Sequence, residues 1–189
     1  MTTPKGRKRA RPTSPAGAHH AGSSRWTRHV AYGLIALYGL YWAVMAFTRH
    51  TIGNYGVETD FYWKYGPAAR DLLRGVISIE NYDSKGWGYP LVVAAVSFLG
   101  FDIFRAGQIV ALLSAVGAAW ILYRIHRSLF GPIHALASLA IVLANLVFVQ
   151  NTYEVGTDMF FLAVSLASVG LLLRSKSPGL WAMAASGLI

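Results

Sequence analysis

Only eight of the 189 residues are acidic, and four of them stand in pairs where carboxylates could do chemistry. Glu58 and Asp60 lie in Glu58-Thr59-Asp60-Phe61-Tyr62-Trp63, just after the first apolar run of membrane length. Glu154 and Asp158 lie in Gln150-Asn151-Thr152-Tyr153-Glu154-Val155-Gly156-Thr157-Asp158-Met159, between two later runs. A carboxylate within hydrogen-bond reach of a hydroxyl can accept its proton as the oxygen attacks. Ionisable groups kept at a membrane boundary are candidates for a polar, functional cavity. Plainer roles are open as well, because Thr157 or Asp158 can cap the helix that starts there and Asp60 can cap a helix in its loop.

The elements that must position these acids are set by composition. With 54% hydrophobic and only 13% charged residues, the apolar ones in long blocks, the chain reads as an all-α, multi-spanning membrane protein. Its formal charge of +9 suggests a nucleic-acid binder, but residues 1–28 hold seven Lys/Arg and no acid, leaving ten bases against eight acids elsewhere. That basic stretch, rich in Pro, Ser, Thr, Gly and Ala, is expected to be a disordered cytoplasmic tail that orients the first span, with no nucleic-acid partner. The absence of cysteine excludes disulfides and thiolate chemistry.

The transmembrane domain is expected over 29–189, with spans near 29–47, 106–123, 133–149 and 159–173. A partial span at 180–189 ends inside an apolar run and reads as truncated. The polar, aromatic-rich segment 49–105 is expected to be an outer loop carrying short interfacial helices. Within it a first helical turn at 60–65 is interrupted by Gly66-Pro67, and a short helix over 67–74, opened by proline, is closed by Gly75. Phe61, Tyr65, Ala68 and Leu72 share one stripe at helical spacing, the pattern of a helix lying in the membrane interface. The dozen apolar residues of 89–101 are too few for an ordinary crossing. If that stretch does not cross, the tail, Arg124/Arg127 and Arg174/Lys176 share one side, which the positive-inside rule makes cytoplasmic. Glu58, Asp60, Lys85, Arg105, Glu154 and Asp158 then collect on the outer face.

The order of short motifs carries a resemblance. Asp60-Phe61-Tyr62 precedes Ala68-Ala69-Arg70-Asp71-Leu72-Leu73-Arg74-Gly75, followed by Gly88-Tyr89-Pro90-Leu91, Phe98-Leu99-Gly100, Tyr123-Arg124, Leu129-Phe130-Gly131 and Thr157-Asp158-Met159-Phe160-Phe161. Over about residues 30–175 the chain resembles the N-terminal part of the GT-C superfamily of integral-membrane glycosyltransferases. It resembles in particular the bacterial relatives of protein O-mannosyltransferases and of the lipid A aminoarabinose transferase. The resemblance implies transfer of a sugar from a polyprenyl-phosphate carrier to a protein, lipid or glycan acceptor on the outer face of a bacterial plasma membrane. It implies that a first-loop acid, here Asp60 with Glu58 as second choice, is the catalytic base or acceptor-positioning group. Lys85 and Arg105 would face the phosphate, and Tyr89, Glu154 and Asp158 would complete the substrate site. Many relatives carry a lysine followed by two prolines where this chain has Lys85-Gly86-Trp87. Some members of the superfamily use a divalent cation and others do not, so one held by Asp60 and Asp158 is an option.

Other readings stay open. Lys85 can be a solvated lysine, Arg105 an interfacial anchor, and Tyr62, Trp63 and Trp87 an aromatic belt. His19 and His20 fall in the tail, and His50, His126 and His134 are isolated near span ends, where a surface position is expected and no metal-ligand spacing is present. A small transporter component would place its acids in mid-span. A non-catalytic subunit or inactive fragment would keep the first-loop acid without the rest of the bundle. Single cysteines introduced at positions 60 and 157 are expected to label with an impermeant thiol reagent from the same side of the membrane. Labelling from opposite sides would separate the two acidic segments.

Overall fold

The computed structural model describes residues 16–51, 58–77 and 86–174, with side chains from Arg25 onward. Lys85, Lys176, the apolar stretch 180–189 and the first half of the basic tail lie outside the described residues. Among those described there are seven α-helices and one π turn, and no strand. They are α1 (Ala16–Thr48), the π turn (Phe61–Tyr65), α2 (Gly66–Leu73), α3 (Gly88–Ser97), α4 (Ile103–Phe130), α5 (Pro132–Ala144), α6 (Leu146–Tyr153) and α7 (Asp158–Arg174). The first helix begins at Ala16, so 16–28, expected to be disordered, is helical.

Helix α4 organises the bundle. Its 28 residues, about 42 Å of helix, exceed a hydrocarbon core. Gly107, Ala111, Ala115 and Ala119 form one buried row at four-residue spacing, and Ala106, Val110, Ser114 and Ala118 form the next. Small side chains let helix backbones approach closely, which is how membrane helices gain contact when lipid is as apolar as their own surface. Accordingly α4 packs against α1, α3, α5 and α7. One apolar cluster joins Ala31 and Ile35 of α1 to Ala115, Ala119, Leu139, Phe148 and Met159. A second joins Phe61, Tyr65, Tyr89 and Val93 to Ile103, Ala106 and Val155.

The stretch Arg25–Thr48 of α1 and all of α4 are long and apolar enough to cross a membrane. Helix α3, ten residues long, reaches about 15 Å and falls short by itself. The span expected over 133–149 is instead two helices bent by 61° at Asn145. Asn145 has an extended backbone, and its side chain accepts the Phe148 N–H at 3.1 Å, so one residue ends α5 and caps α6.

The loop helix also differs from expectation. Gly66-Pro67 does not interrupt it. The Gly66 N–H reaches back five residues to the Phe61 carbonyl, and the chain runs on into α2. Proline at 67 has no N–H and crowds the carbonyl four residues earlier, and widening the preceding turn to a π geometry relieves that conflict. At the other end Gly75, at φ +72°, closes α2. Its N–H binds the Leu72 carbonyl and that of Val76 binds the Asp71 carbonyl, a Schellman closure. The stripe expected to face the interface is buried in protein: Phe61, Tyr65 and Ala68 are all at most 5% exposed, and the stripe packs on α3 and α4.

The ends of the bundle differ in charge. Arg105 of α4 bonds to Ala46 near the end of α1, whereas Tyr32 halfway along α1 meets Tyr123 late in α4, so the two helices are antiparallel. Arg25, Arg28, Arg124, Arg127 and Arg174 thus share one end, and Glu58, Asp60, Asp71, Asp102, Glu154 and Asp158 the other, where they are mixed with Arg49, Lys64, Arg70, Arg74 and Arg105. Gly107 sits where three segments converge at the acidic end. A Cβ there would lie 2.5 Å from Val155 Cγ1 and 2.8 Å from Phe61 Cε2. Gly107→Ala is expected to lower stability by about 1–3 kcal/mol through overpacking. Thermal unfolding in detergent measures this, and a wild-type midpoint would show that Phe61 and Val155 yield freely.

Candidate functional site

The acidic end contains a small polar cavity of about 100 Å³. Asp60 lines it from the start of the loop helix, and Asn151, Glu154, Thr157 and Asp158 line it from α6, the link after it and the start of α7. Asp60 has helical backbone angles and makes no side-chain capping bond, so the capping role open to it from sequence is not the one it plays. Asp158 is the first residue of α7, where its charge favours the positive end of the helix dipole. Glu154 has an extended backbone that ends α6. The two acidic segments, some ninety residues apart in sequence, thus meet at one cavity.

Beneath the cavity lies Glu58, which is 6% exposed. Its Oε1 accepts the Val155 N–H at 2.9 Å, a buried bond between the two acidic segments. A hydrogen bond to a charged group of this kind is worth about 1.5–3 kcal/mol. His50 Nε2 lies 3.0 Å from the same oxygen, at ion-pair distance but out of line for a hydrogen bond. The His50 ring stacks on Tyr153 with centroids 4.3 Å apart and meets Phe104 edge-on. This histidine, expected at the surface, is 1% exposed. No sequence pattern reveals it, because Tyr153 and Phe104 come from distant parts of the chain.

The remaining expected site residues are placed elsewhere. Arg105 donates from one guanidinium nitrogen to the Ala46 carbonyl at 3.1 Å and to Gln108 Oε1 at 2.9 Å, and Gln108 donates to the same carbonyl. With Phe47 beneath its guanidinium, Arg105 closes the last turn of α1, and it does not line the cavity. Tyr89 is buried at the start of α3, edge-on to Tyr65 and beside Phe160. Burial, reinforced by Tyr65 and Glu58 nearby, pushes its phenol well above the usual tyrosine range. Lys85 lies outside the described residues. For a divalent cation, no three His, Cys, Asp or Glu among the described residues come together as ligands.

A larger groove of about 330 Å³ opens at the bend between α5 and α6, walled by apolar residues including Ile141, Phe148 and Leu162. Asn151 and Asp158 line both this groove and the polar cavity.

The described residues form a helical membrane bundle with carboxylates gathered at one end and apolar helices beneath them. Comparison with family models matches residues 85–188, more than half of the chain, and the chain belongs to the dolichyl-phosphate-mannose-protein mannosyltransferase family. Neither curated proteins nor solved structures returned a match. Glu154 and Asp158 fall inside the matched segment, whereas Glu58 and Asp60 precede it. The case for Asp60 therefore rests on the cavity it shares with Glu154 and Asp158, whereas Glu58 does not line that cavity.

The buried Tyr89 hydroxyl finds no hydrogen-bond partner among the described residues. Tyr89→Phe is expected to leave the unfolding midpoint unchanged or raise it, because it removes an unsatisfied polar group. A loss of about 1 kcal/mol or more would reveal a partner for the hydroxyl.

Proposed function

We propose that the cavity between Asp60 and Glu154/Asp158 is the reaction site for sugar transfer from a polyprenyl-phosphate carrier to a hydroxyl acceptor. The observation that carries this reading is the meeting of the two acidic segments at one end of the bundle, away from the basic clusters. With those clusters cytoplasmic by the positive-inside rule, the cavity opens to the outer face of the membrane.

In this reading the acceptor hydroxyl enters beside Asp60, and its oxygen attacks the anomeric carbon of the donor sugar. The bond from that carbon to the phosphate oxygen breaks as the new glycosidic bond forms. Asp60 takes the hydroxyl proton, and the carrier phosphate leaves with the bonding electrons. Glu154, Asn151 and Thr157 offer hydrogen-bonding groups to the sugar and acceptor. Positive charge near the departing phosphate stabilises the transition state. Arg105 is tied to the end of α1, and of the two bases the resemblance offers for this role we put forward Lys85, the first residue of the family match. A transporter reading is less well supported, because the charged groups gather at the ends of the spans and not at their middles.

The test is Asp60→Asn in the complete protein, reconstituted in liposomes with polyprenyl-phosphate mannose and assayed for transfer. Loss of a general base is expected to lower kcat by about 10²- to 10⁴-fold with the fold intact. Wild-type turnover would remove Asp60 from the mechanism.

A further inference from the structure

We propose that Glu58 is a positioning residue whose length, more than its charge, sets the separation between the two walls of the cavity. Its carboxylate is almost fully buried and is not among the groups that line the cavity, so it is poorly placed to meet a substrate. What it does meet is the backbone. Residues 154–157 form a short non-helical link between α6 and α7, and a buried N–H in such a link has no helical carbonyl to bind. Glu58 supplies the acceptor for the N–H of Val155.

Several contacts converge on the same joint. The Val155 side chain lies over Gly107 beside Phe61, so residue 155 is held from both sides. Tyr153, two residues earlier, is stacked against His50, whose Nε2 stands 3.0 Å from the Glu58 oxygen that holds Val155. One side of this joint continues through Thr59 into Asp60, the other through Gly156 and Thr157 into Asp158. A change of one methylene at Glu58 is thereby passed to both walls. A buried carboxylate is an expensive way to obtain stability alone, since apolar residues of similar volume often serve as well. A fixed span between two backbones is something an apolar side chain cannot supply.

Because the chain has no cysteine, the spacing can be measured directly in the complete protein in lipid nanodiscs. Spin labels at Trp63→Cys and Gln150→Cys, both exposed positions, report the distance between the loop helix and α6 by pulsed electron paramagnetic resonance. Glu58→Gln keeps the length and an acceptor oxygen, Glu58→Asp keeps the charge and shortens the reach, and Glu58→Ala removes both. The expected result is a wild-type distance distribution in Glu58→Gln and a shifted or broadened one in Glu58→Asp and Glu58→Ala. If Glu58→Ala does not fold, the Gln and Asp variants decide the matter between them. A wild-type distribution in Glu58→Asp, or an altered one in Glu58→Gln alone, would overturn the proposal.

The catalytic arm rests on the cavity being the transfer site. With polyprenyl-phosphate mannose as donor, Glu58→Asp is expected to lose about 10²-fold in kcat with little change in KM, as for a misplacement of about 1 Å. Glu58→Gln is expected to retain turnover. Full turnover in Glu58→Asp despite a moved distance would overturn the positioning role. Absence of transfer in the wild type would count against the glycosyl-transfer reading alone, and the distance measurement would still decide the role of Glu58.

Discussion

Close approach at α4 is the constraint on which the rest of the bundle depends. Its rows of glycine, alanine and serine leave room for neighbouring helices, and those neighbours supply the large side chains. Phe61 reaches α4 because Gly107 has no side chain, and Val155 reaches the same spot from the opposite segment. Without that space the loop helix and the link between α6 and α7 could not meet, and the carboxylates at positions 60 and 158 would have no common cavity. In a bilayer, where burying apolar surface between helices brings little gain over contact with lipid, such fit carries much of the association energy. Site geometry and bundle stability therefore draw on the same few residues.

The polar contacts at the acidic end follow from where helices stop. The final turn of α1 leaves carbonyls unpaired, and Arg105 and Gln108 both donate to that of Ala46. The start of α4 is capped by Asp102, which accepts from the N–H groups of Phe104 and Arg105. The link after α6 exposes the N–H that Glu58 accepts. At this end Arg105, Asp102 and Glu58 finish backbone, while Asp60, Glu154 and Asp158 line the cavity.

Much of the fold was legible because apolar runs and three- and four-residue spacing survive in the sequence. The long helices, the buried stripe of Phe61, Tyr65 and Ala68, and the closure at Gly75 all follow from local rules. What was not legible depended on distant partners. The stripe was visible, but whether lipid or protein would cover it depended on Gly107 and α3. His50 looked isolated since the groups around it come from Glu58, Phe104 and Tyr153, and only the fold assembles them. The span expected over 133–149 ran straight through Asn145, although an asparagine in an apolar run is a residue type that caps a helix. Asp60 and Asp158 were legible as candidates because acids are scarce. The separate role of Glu58, two residues from Asp60, depends on which of the two points inward.

The π turn before Pro67 has a consequence for the phase of the loop. A residue in an α-helix occupies about 100° of rotation, and one extra residue within a single turn offsets everything upstream by roughly that angle relative to a regular helix. Phe61 and the segment leading back to Glu58 are therefore set at a rotation that a regular helix of the same sequence would not give them. The proline thus acts as a clutch between the two halves of the loop: α2 keeps its seat on α3 and α4, while the acidic segment ahead of it is dialled to face the link between α6 and α7.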